Sequence, residues 1–217
     1  MPTTGCSIVT PTIYVVDDDD SFRIGIGRVL KLAGYAVRTY PSGAAFMQSD
    51  PGSGPGCVLM DLFMPDATGL EIQAMLAARR DWLPVIFMSG QGTIPDSVRA
   101  LQAGAVDFLT KPIKKETLLG AINLAIARYH EARSFRDKLR ETQLCYKNLT
   151  PRQRAVFEGV VLGKLNKQIA ADLGVAERTI KAHRAEVMKK MRVDSVAALV
   201  RLAVYLQQQQ APMATDR

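Results

Sequence analysis

The fold class predicted for this chain of 217 residues is a doubly wound α/β domain built on a five-stranded parallel sheet, followed by an all-α, four-helix domain containing a helix-turn-helix. Three observations predict it. Over the first 127 residues, short apolar runs alternate five times with stretches of helical periodicity, as in a parallel sheet covered on both faces. Four of those runs end on polar anchors: Asp17-Asp18, Asp61, Ser89 and Lys111-Pro112. Charge then divides the chain, because residues 1–127 carry 10 Lys or Arg against 12 Asp or Glu, a balance of −2, whereas residues 128–217 carry 18 against 9, a balance of +9. An acidic-leaning half joined to a basic one suggests a regulatory module tethered to a binder of polyanions, with a solvated basic surface as the plain alternative.

Residues 13–16 read as the first strand, and Phe22, Ile26, Val29, Leu30 and Ala33 follow at helical spacing until Gly34 closes that helix as its C′ residue. Residues 36–40 are the second strand and 43–48 a short helix. A loop dense in Gly and Pro follows. Residues 57–61 form a strand apolar enough to be buried on both faces, and the chain turns at Met64-Pro65-Asp66. A helix over 69–78 is predicted to face inward through Ile72, Met75 and Leu76. Residues 84–88 are the fourth strand, and Pro95 opens a helix whose Val98 and Leu101 are predicted to face inward before Gly104 stops it. Residues 105–109 are the fifth strand. From Lys115 a helix begins, and no Pro or Gly interrupts residues 121–147, so it is predicted to run on through a helical linker at 128–147. That linker fits either weak helical pairing or a solvated spacer.

No apolar run approaches the ~20 residues of a membrane helix, and the first residues lack a basic stretch followed by an apolar core, so neither membrane insertion nor secretion is expected. Cys6, Cys57 and Cys145 are far apart and without Cys-x-x-Cys spacing; they fit unpaired thiols in a reducing cytoplasm.

Polar groups at the carboxyl ends of parallel strands sit where α/β sheets do their chemistry. Asp61 alone reads as a cap for the next helix. Brought beside Asp17 and Asp18 it would face strong repulsion, which a hard divalent cation relieves, and Mg²⁺ suits an open site of a few carboxylates. With such a cation one carboxylate can attack a phosphoryl group and become an aspartyl phosphate. Lys111 would neutralise a phosphoryl oxygen and the Ser89 hydroxyl would donate to another. Asp19, Asp20 and Asp66 read as helix caps.

Asp17-Asp18, the segment Asp61-Leu62-Phe63-Met64-Pro65-Asp66 with Gly69, Ser89-Gly90 and Lys111-Pro112 together resemble the signature of the response-regulator receiver domain, a flavodoxin-like fold, over residues 11–127. The resemblance implies Asp61 as phospho-acceptor and Mg²⁺ held by Asp18 directly, by Asp17 through water, and by the Phe63 backbone carbonyl. It implies Ser89 and Phe108 as the switch pair, with plain core packing as the other reading of Phe108. Phe63, a large apolar side chain two residues past the acceptor, would shield an acyl phosphate. Aspartyl-phosphate phosphatases and phosphotransferases, the rival enzymatic reading, usually place a second carboxylate there.

The basic half begins with Thr150-Pro151-Arg152-Gln153, an N-cap, an N1 proline and a capping-box glutamine. Its helix ends at Gly163. Asn166 is predicted to cap the next helix, which buries Ile169, Ala170 and Leu173 and turns at Gly174-Val175. A third helix, about 177–190, faces inward through Ile180, Val187 and Met191; a fourth, about 195–206, packs through Leu199, Leu202 and Ala203. Two short helices joined by a Gly turn, the second dense in cations, make a helix-turn-helix.

Gly163-x-x-Asn166-Lys167-x-Ile169-Ala170, Thr179-Ile180-Lys181-x-His183-Arg184 and Lys190-Met191 resemble the LuxR-type helix-turn-helix, here over 148–207, before a tail at 208–217. With the receiver ahead of it the whole chain resembles the NarL/FixJ response regulators. Two departures stand out: Gln153 occupies the place of a usual Glu, and Ala176 that of a frequent Ser or Thr cap. The resemblance implies base-facing Lys181, Ala182, Ala185 and Glu186, and phosphate-facing Lys167, Arg178, Thr179, Arg184 and Lys189. It further implies a sensor histidine kinase as donor, double-stranded DNA as target, a homodimer formed on phosphorylation, and a cytoplasmic location. A regulator acting through an acidic protein partner is the remaining rival.

Overall fold

The computed structural model describes residues 10–49, 54–79 and 83–208. The expectations for residues 1–9 with Cys6, for the middle of the Gly/Pro loop and for the tail beyond 208 lie outside them. The chain divides after residue 133 into two compact units.

In the first unit β1 (Thr12–Val16), β2 (Ala36–Tyr40), β3 (Gly56–Asp61), β4 (Val85–Ser89) and β5 (Asp107–Thr110) form one sheet in the order β2-β1-β3-β4-β5, every pair parallel. The predicted sheet is therefore present. Each strand joins the next through a helix: α1 (Asp20–Leu32), α2 (Gly43–Gln48), α3 (Gly69–Arg79) and α4 (Ile94–Gln102). Alternate strand residues feed two apolar layers, as the period of two demands. Tyr14, Val16, Val58, Met60, Val85 and Phe87 enter one layer; Ile13, Val15, Cys57, Leu59, Ile86 and Met88 enter the other. Register brings the carboxyl ends level: Val16 pairs with Met60, Asp61 with Met88, and Ser89 with Thr110.

Two helices present a different face from the one predicted. Val98 and Leu101 of α4 are 45% and 48% exposed, and Ile94 is 81% exposed. The helix is instead seated through Ala100 and Asp96, whose carboxylate accepts from Thr93 N and Oγ1 at 3.0 and 2.7 Å in a capping box. That buried cap rotates the helix and turns its apolar residues to solvent. On α3, Ile72 and Leu76 are buried as predicted, but Met75 is half exposed because it lies a quarter-turn off their line.

α5 (Lys115–Lys147) is one helix of 33 residues. Leu118, Ile122 and Ala125 bury its beginning against the sheet. Toward its other end Thr142 is buried, Phe135 meets Tyr205 edge-on at 5.6 Å and Tyr146 meets Phe157 at 5.2 Å. The far part of α5 thus forms a wall of the second unit and is no solvated spacer.

The second unit continues with α6 (Pro151–Val161), α7 (Asn166–Leu173), α8 (Glu177–Lys190) and α9 (Val196–Gln208). Val156, Phe157, Ile169, Ile180, Val187, Met191 and Leu199 make its core. The capping box at Thr150 and Gln153 is formed. α6 and α7 approach closely: a Cβ on Gly159 would come within 2.8 Å of Ile169 Cγ1. Gly174 turns α7 into α8 at φ 64°, where a side chain is disfavoured. Asn166 is not the cap of α7. Leu165 holds that position and its N–H donates to Gln168 Oε1 at 2.8 Å, which frees the Asn166 side chain to accept from Arg184 Nη1 at 2.9 Å.

Candidate functional site

Three strand ends and the loop after β5 build the site in the first unit. Asp17, the residue after β1, is fully buried and Asp61, the last of β3, is 7% exposed; Asp18 stands in solvent. Carboxylate oxygens of Asp17, Asp18 and Asp61 lie within 4.8 Å of one another. Lys111 reaches in from the loop after β5, with Nζ 2.7 Å from Asp17 Oδ2 and 3.1 Å from Asp61 Oδ1. Its backbone is anchored as well, Lys111 N donating to Ser89 O at 2.8 Å. Burial pushes the Asp61 carboxyl up; Lys111 pulls it back, and the charges of Asp17 and Asp18 add to the rise, leaving it above the ordinary carboxylate value. Burial pulls the Lys111 ammonium down, but its hydrogen bonds to Asp17 and Asp61 outweigh that and hold it above the ordinary lysine value. Clustered hard oxygen donors with an excess of negative charge fit a divalent cation.

The glycine of the Asp61 motif has a local reason. A Cβ on Gly69 would lie 2.6 Å from the Asp61 carbonyl oxygen and 2.7 Å from Phe87 Cε1, so only glycine lets α3 start against the end of β3. The motif's second acid serves elsewhere: Asp66 Oδ2 accepts from Ala44 N at 2.9 Å at the start of α2, and that bond lowers its pKa. Asp19 caps α1 through Ser21 N and Phe22 N, and Asp20 pairs with Arg23. Asp19 and Asp66 thus accept from helix N–H groups, as predicted, whereas Asp20 is no cap and pairs with Arg23 instead.

Asp17, Asp18, Asp61 and Lys111 are thus brought together. Ser89 lies on the next strand end, 1% exposed, with its hydroxyl accepting from Gln91 N at 3.2 Å. Phe108 packs against the β4 side of the core beside Ser89 and Gly92. Phe63 is half exposed, its backbone bridged to Thr68.

Two further residues escaped the sequence reading. The Phe22 ring lies under the Lys111 ammonium, 4.2 Å from Nζ to the centroid, a cation–π contact. Arg23 Nη1 donates to the Asp17 backbone carbonyl at 2.6 Å. Both follow from the Asp19 cap, which starts α1 so that its first turn lies over the acidic cluster; the signal is their spacing of five and six residues from Asp17.

In the second unit Lys181, Ala182, Ala185 and Glu186 are all exposed along α8, while Ile180 and Val187 are fully buried on the opposite face. Lys167, Arg178 and Lys189 stand in solvent beside them, and Thr179 and Arg184 are half-buried. Lys181 is in reach of Glu177 at 3.6 Å, a loose pair one turn apart. Lys190 is turned away from that face: its Nζ donates to Gln153 Oε1 at 2.8 Å and to Asn148 O at 3.2 Å. Gln153, where a Glu is usual, therefore still ties α8 to the start of α6.

An acidic pocket faced by a lysine at the carboxyl edge of a doubly wound sheet, joined to a cation-faced helix-turn-helix, defines a transcriptional response regulator. Comparison with known proteins agrees. Residues 13–123 match the response regulator receiver domain and residues 147–203 match the bacterial regulatory proteins of the luxR family. The chain belongs to the NarL/FixJ family of two-component response regulators. It is 39% identical over 190 residues to the response regulator protein TmoT of Ectopseudomonas mendocina, covering 88% of this chain and 86% of that one. To the transcriptional regulatory protein FixJ of Bradyrhizobium diazoefficiens it is 37% identical over 192 residues, covering 88% and 94%. The solved structure of the response regulator StyR superposes with a TM-score of 0.74 at 39% identity, over 90% of this chain and 99% of that one. Among the described residues no helix is long and apolar enough to cross a membrane.

Proposed function

We propose that Asp61 accepts a phosphoryl group from a sensor histidine kinase, and that the charged receiver then pairs with a second copy and delivers two basic domains to DNA half-sites. The carrying observation is the convergence of Asp17, Asp18 and Asp61 within 4.8 Å, with Lys111 bridging Asp17 and Asp61. In the transfer an Asp61 carboxylate oxygen attacks phosphorus, the bond from phosphorus to the donor nitrogen breaks, and the leaving imidazole takes a proton. Mg²⁺, the ion the donor set suits, would supply charge neutralisation, held by Asp18, Asp61 and the Phe63 carbonyl directly and by Asp17 through water. Lys111 neutralises a phosphoryl oxygen and Ser89 donates to another.

The exposed apolar stripe of α4, made by Ile94, Val98 and Leu101, supports the pairing step, because a monomer gains nothing by showing it. On α8 the exposed Lys181 reaches guanine acceptors, Ala182 packs on a thymine methyl, and Ala185 and Glu186 face the same base edges. Lys167, Arg178, Thr179, Arg184 and Lys189 hold the phosphates. The receiver is assigned to 11–127 and the DNA-binding domain to 148–207, with the far part of the connecting segment 128–147 packed as a wall of the second unit, and the protein works in the cytoplasm. Mass spectrometry after incubation with Mg²⁺ and a small acyl-phosphate donor is expected to find the label on residue 61. Genome-wide mapping of bound DNA with wild-type and Asp61→Asn protein is expected to give shared weak sites and strong sites only for the wild type. Labelling elsewhere, or identical maps, contradicts the reading.

A further inference from the structure

Phe108, the aromatic member of the switch pair, rests on a residue with no side chain. A Cβ built on Gly92 would lie 2.5 Å from Phe108 Cζ, 3.0 Å from Phe108 Cε1 and 3.1 Å from Ser89 Cβ. Real Cβ atoms do not approach so closely, so something would have to move. The loop has little freedom to do so. On one side the Ser89 hydroxyl holds Gln91 N at 3.2 Å; on the other Thr93 is locked to Asp96 by the capping box that opens α4. The φ of Gly92 lies outside the left-handed region, so the backbone itself accepts alanine. What alanine would displace is the ring. Gly90, two residues earlier in the same loop, has nothing within 4 Å of its own Cβ position, so the two glycines are not equivalent.

We propose that Gly92 is the seat of the switch: its missing side chain lets Phe108 lie against Ser89 and the β4 side of the core, and any side chain there drives Phe108 outward and uncouples phosphorylation from output. The proposal rests on the reading in which Asp61 is phosphorylated and Ser89 and Phe108 respond. It makes Gly92 a positioning residue acting through Phe108 on the surface of α4 and β5, with no part in the phosphoryl chemistry.

The test compares full-length wild type, Gly92→Ala and Gly90→Ala, each with and without a small acyl-phosphate donor and Mg²⁺. Labelling of residue 61 is expected within about threefold of wild type in all three. The gain in DNA affinity on phosphorylation is expected to fall at least tenfold in Gly92→Ala, on the order of an allosteric coupling, and to stay within about twofold in Gly90→Ala. Thermal unfolding supplies a measure independent of signalling. Gly92→Ala is expected to lower Tm by a few degrees in the Phe108 protein and by clearly less beside Phe108→Leu, the non-additivity expected of residues in contact. If Gly92→Ala alone fails to fold, recovery in the double variant supports the seat and continued failure overturns it. Full retention of the affinity gain in Gly92→Ala, an equal loss in Gly90→Ala, or additive shifts in Tm overturns it too. A wild-type protein that gains no DNA affinity overturns the underlying switch reading, an outcome visible before any variant is compared.

Discussion

In the first unit the charges that matter are hidden. Asp17 is fully buried, Asp61 nearly so, and Lys111 bridges them from a side chain only 18% exposed. In the second unit the charges that matter stand in solvent: Lys181 keeps 67% of its side chain exposed, above Ile180 and Val187, which keep none. Buried charge is costly unless compensated, so the first arrangement stores a demand for a counter-ion or a new ligand. Exposed charge costs nothing until a polyanion arrives. The first unit thereby holds charge that a bound cation would relieve, and the second presents charge ready for DNA.

The sharpest way to break that contrast is to remove the platform beneath the exposed charges. Ile180→Ala deletes a fully buried side chain from a small core and is expected to cost about 2–5 kcal/mol. Calorimetry should show the second unit melting early while acyl-phosphate labelling of residue 61 persists; loss of labelling would show that the two cores are not independent. A smaller effect separates specifying from positioning contacts. Lys181→Ala is expected to cost ~1–3 kcal/mol on a cognate site and to relax base preference, whereas Lys189→Ala should weaken all sites alike and reduce the salt slope by ~1. Fluorescence anisotropy at several salt concentrations checks both.

The smallest effect concerns the hidden charge itself. The Asp61 carboxyl lies above its ordinary value of 3.8, so it contributes stability below that pH and the contribution is lost as pH rises through its folded-state value. Asp66 has the opposite sign: its hydrogen bond to Ala44 N is stabilising above the ordinary carboxyl pKa and is lost as pH falls through the lowered one. At neutral pH and without divalent cations, Asp61→Asn is therefore expected to raise Tm modestly, because it removes a charge that folding disfavours. Added Mg²⁺ should raise Tm in the wild type and much less in the variant. A Tm lowered by Asp61→Asn in chelator would mean that burial and the neighbouring acids do not disfavour the Asp61 carboxylate.

The same contrast explains how much of the molecule was legible in its sequence. Strands buried on both faces must be continuously apolar, and a polar residue at their ends is conspicuous, so the sheet and the convergence of Asp17, Asp61 and Lys111 could be read directly. The helix-turn-helix was legible because Ile180, Val187 and Met191 keep helical period while cations fill the rest of α8. Periodicity failed where a polar cap outweighed it. Asp96 and Thr93 seat α4 on Ala100 and turn Val98 and Leu101 outward, and Gln168 relieves Asn166 of capping α7. Phe22 and Arg23 went unseen for a related reason: the cap at Asp19 aims the first turn of α1 at Lys111 and Asp17, and no pattern of apolar spacing encodes that direction.

The conversion of covalent charge at Asp61 into grip on DNA is the step on which the proposed function depends. It is tested most directly by titrating one recovered DNA target with wild-type and Asp61→Asn protein, each with and without a small acyl-phosphate donor and Mg²⁺. The donor is expected to tighten wild-type binding at least tenfold and to leave Asp61→Asn unchanged. Equal affinity in all four titrations, or equal tightening of both proteins, would contradict it.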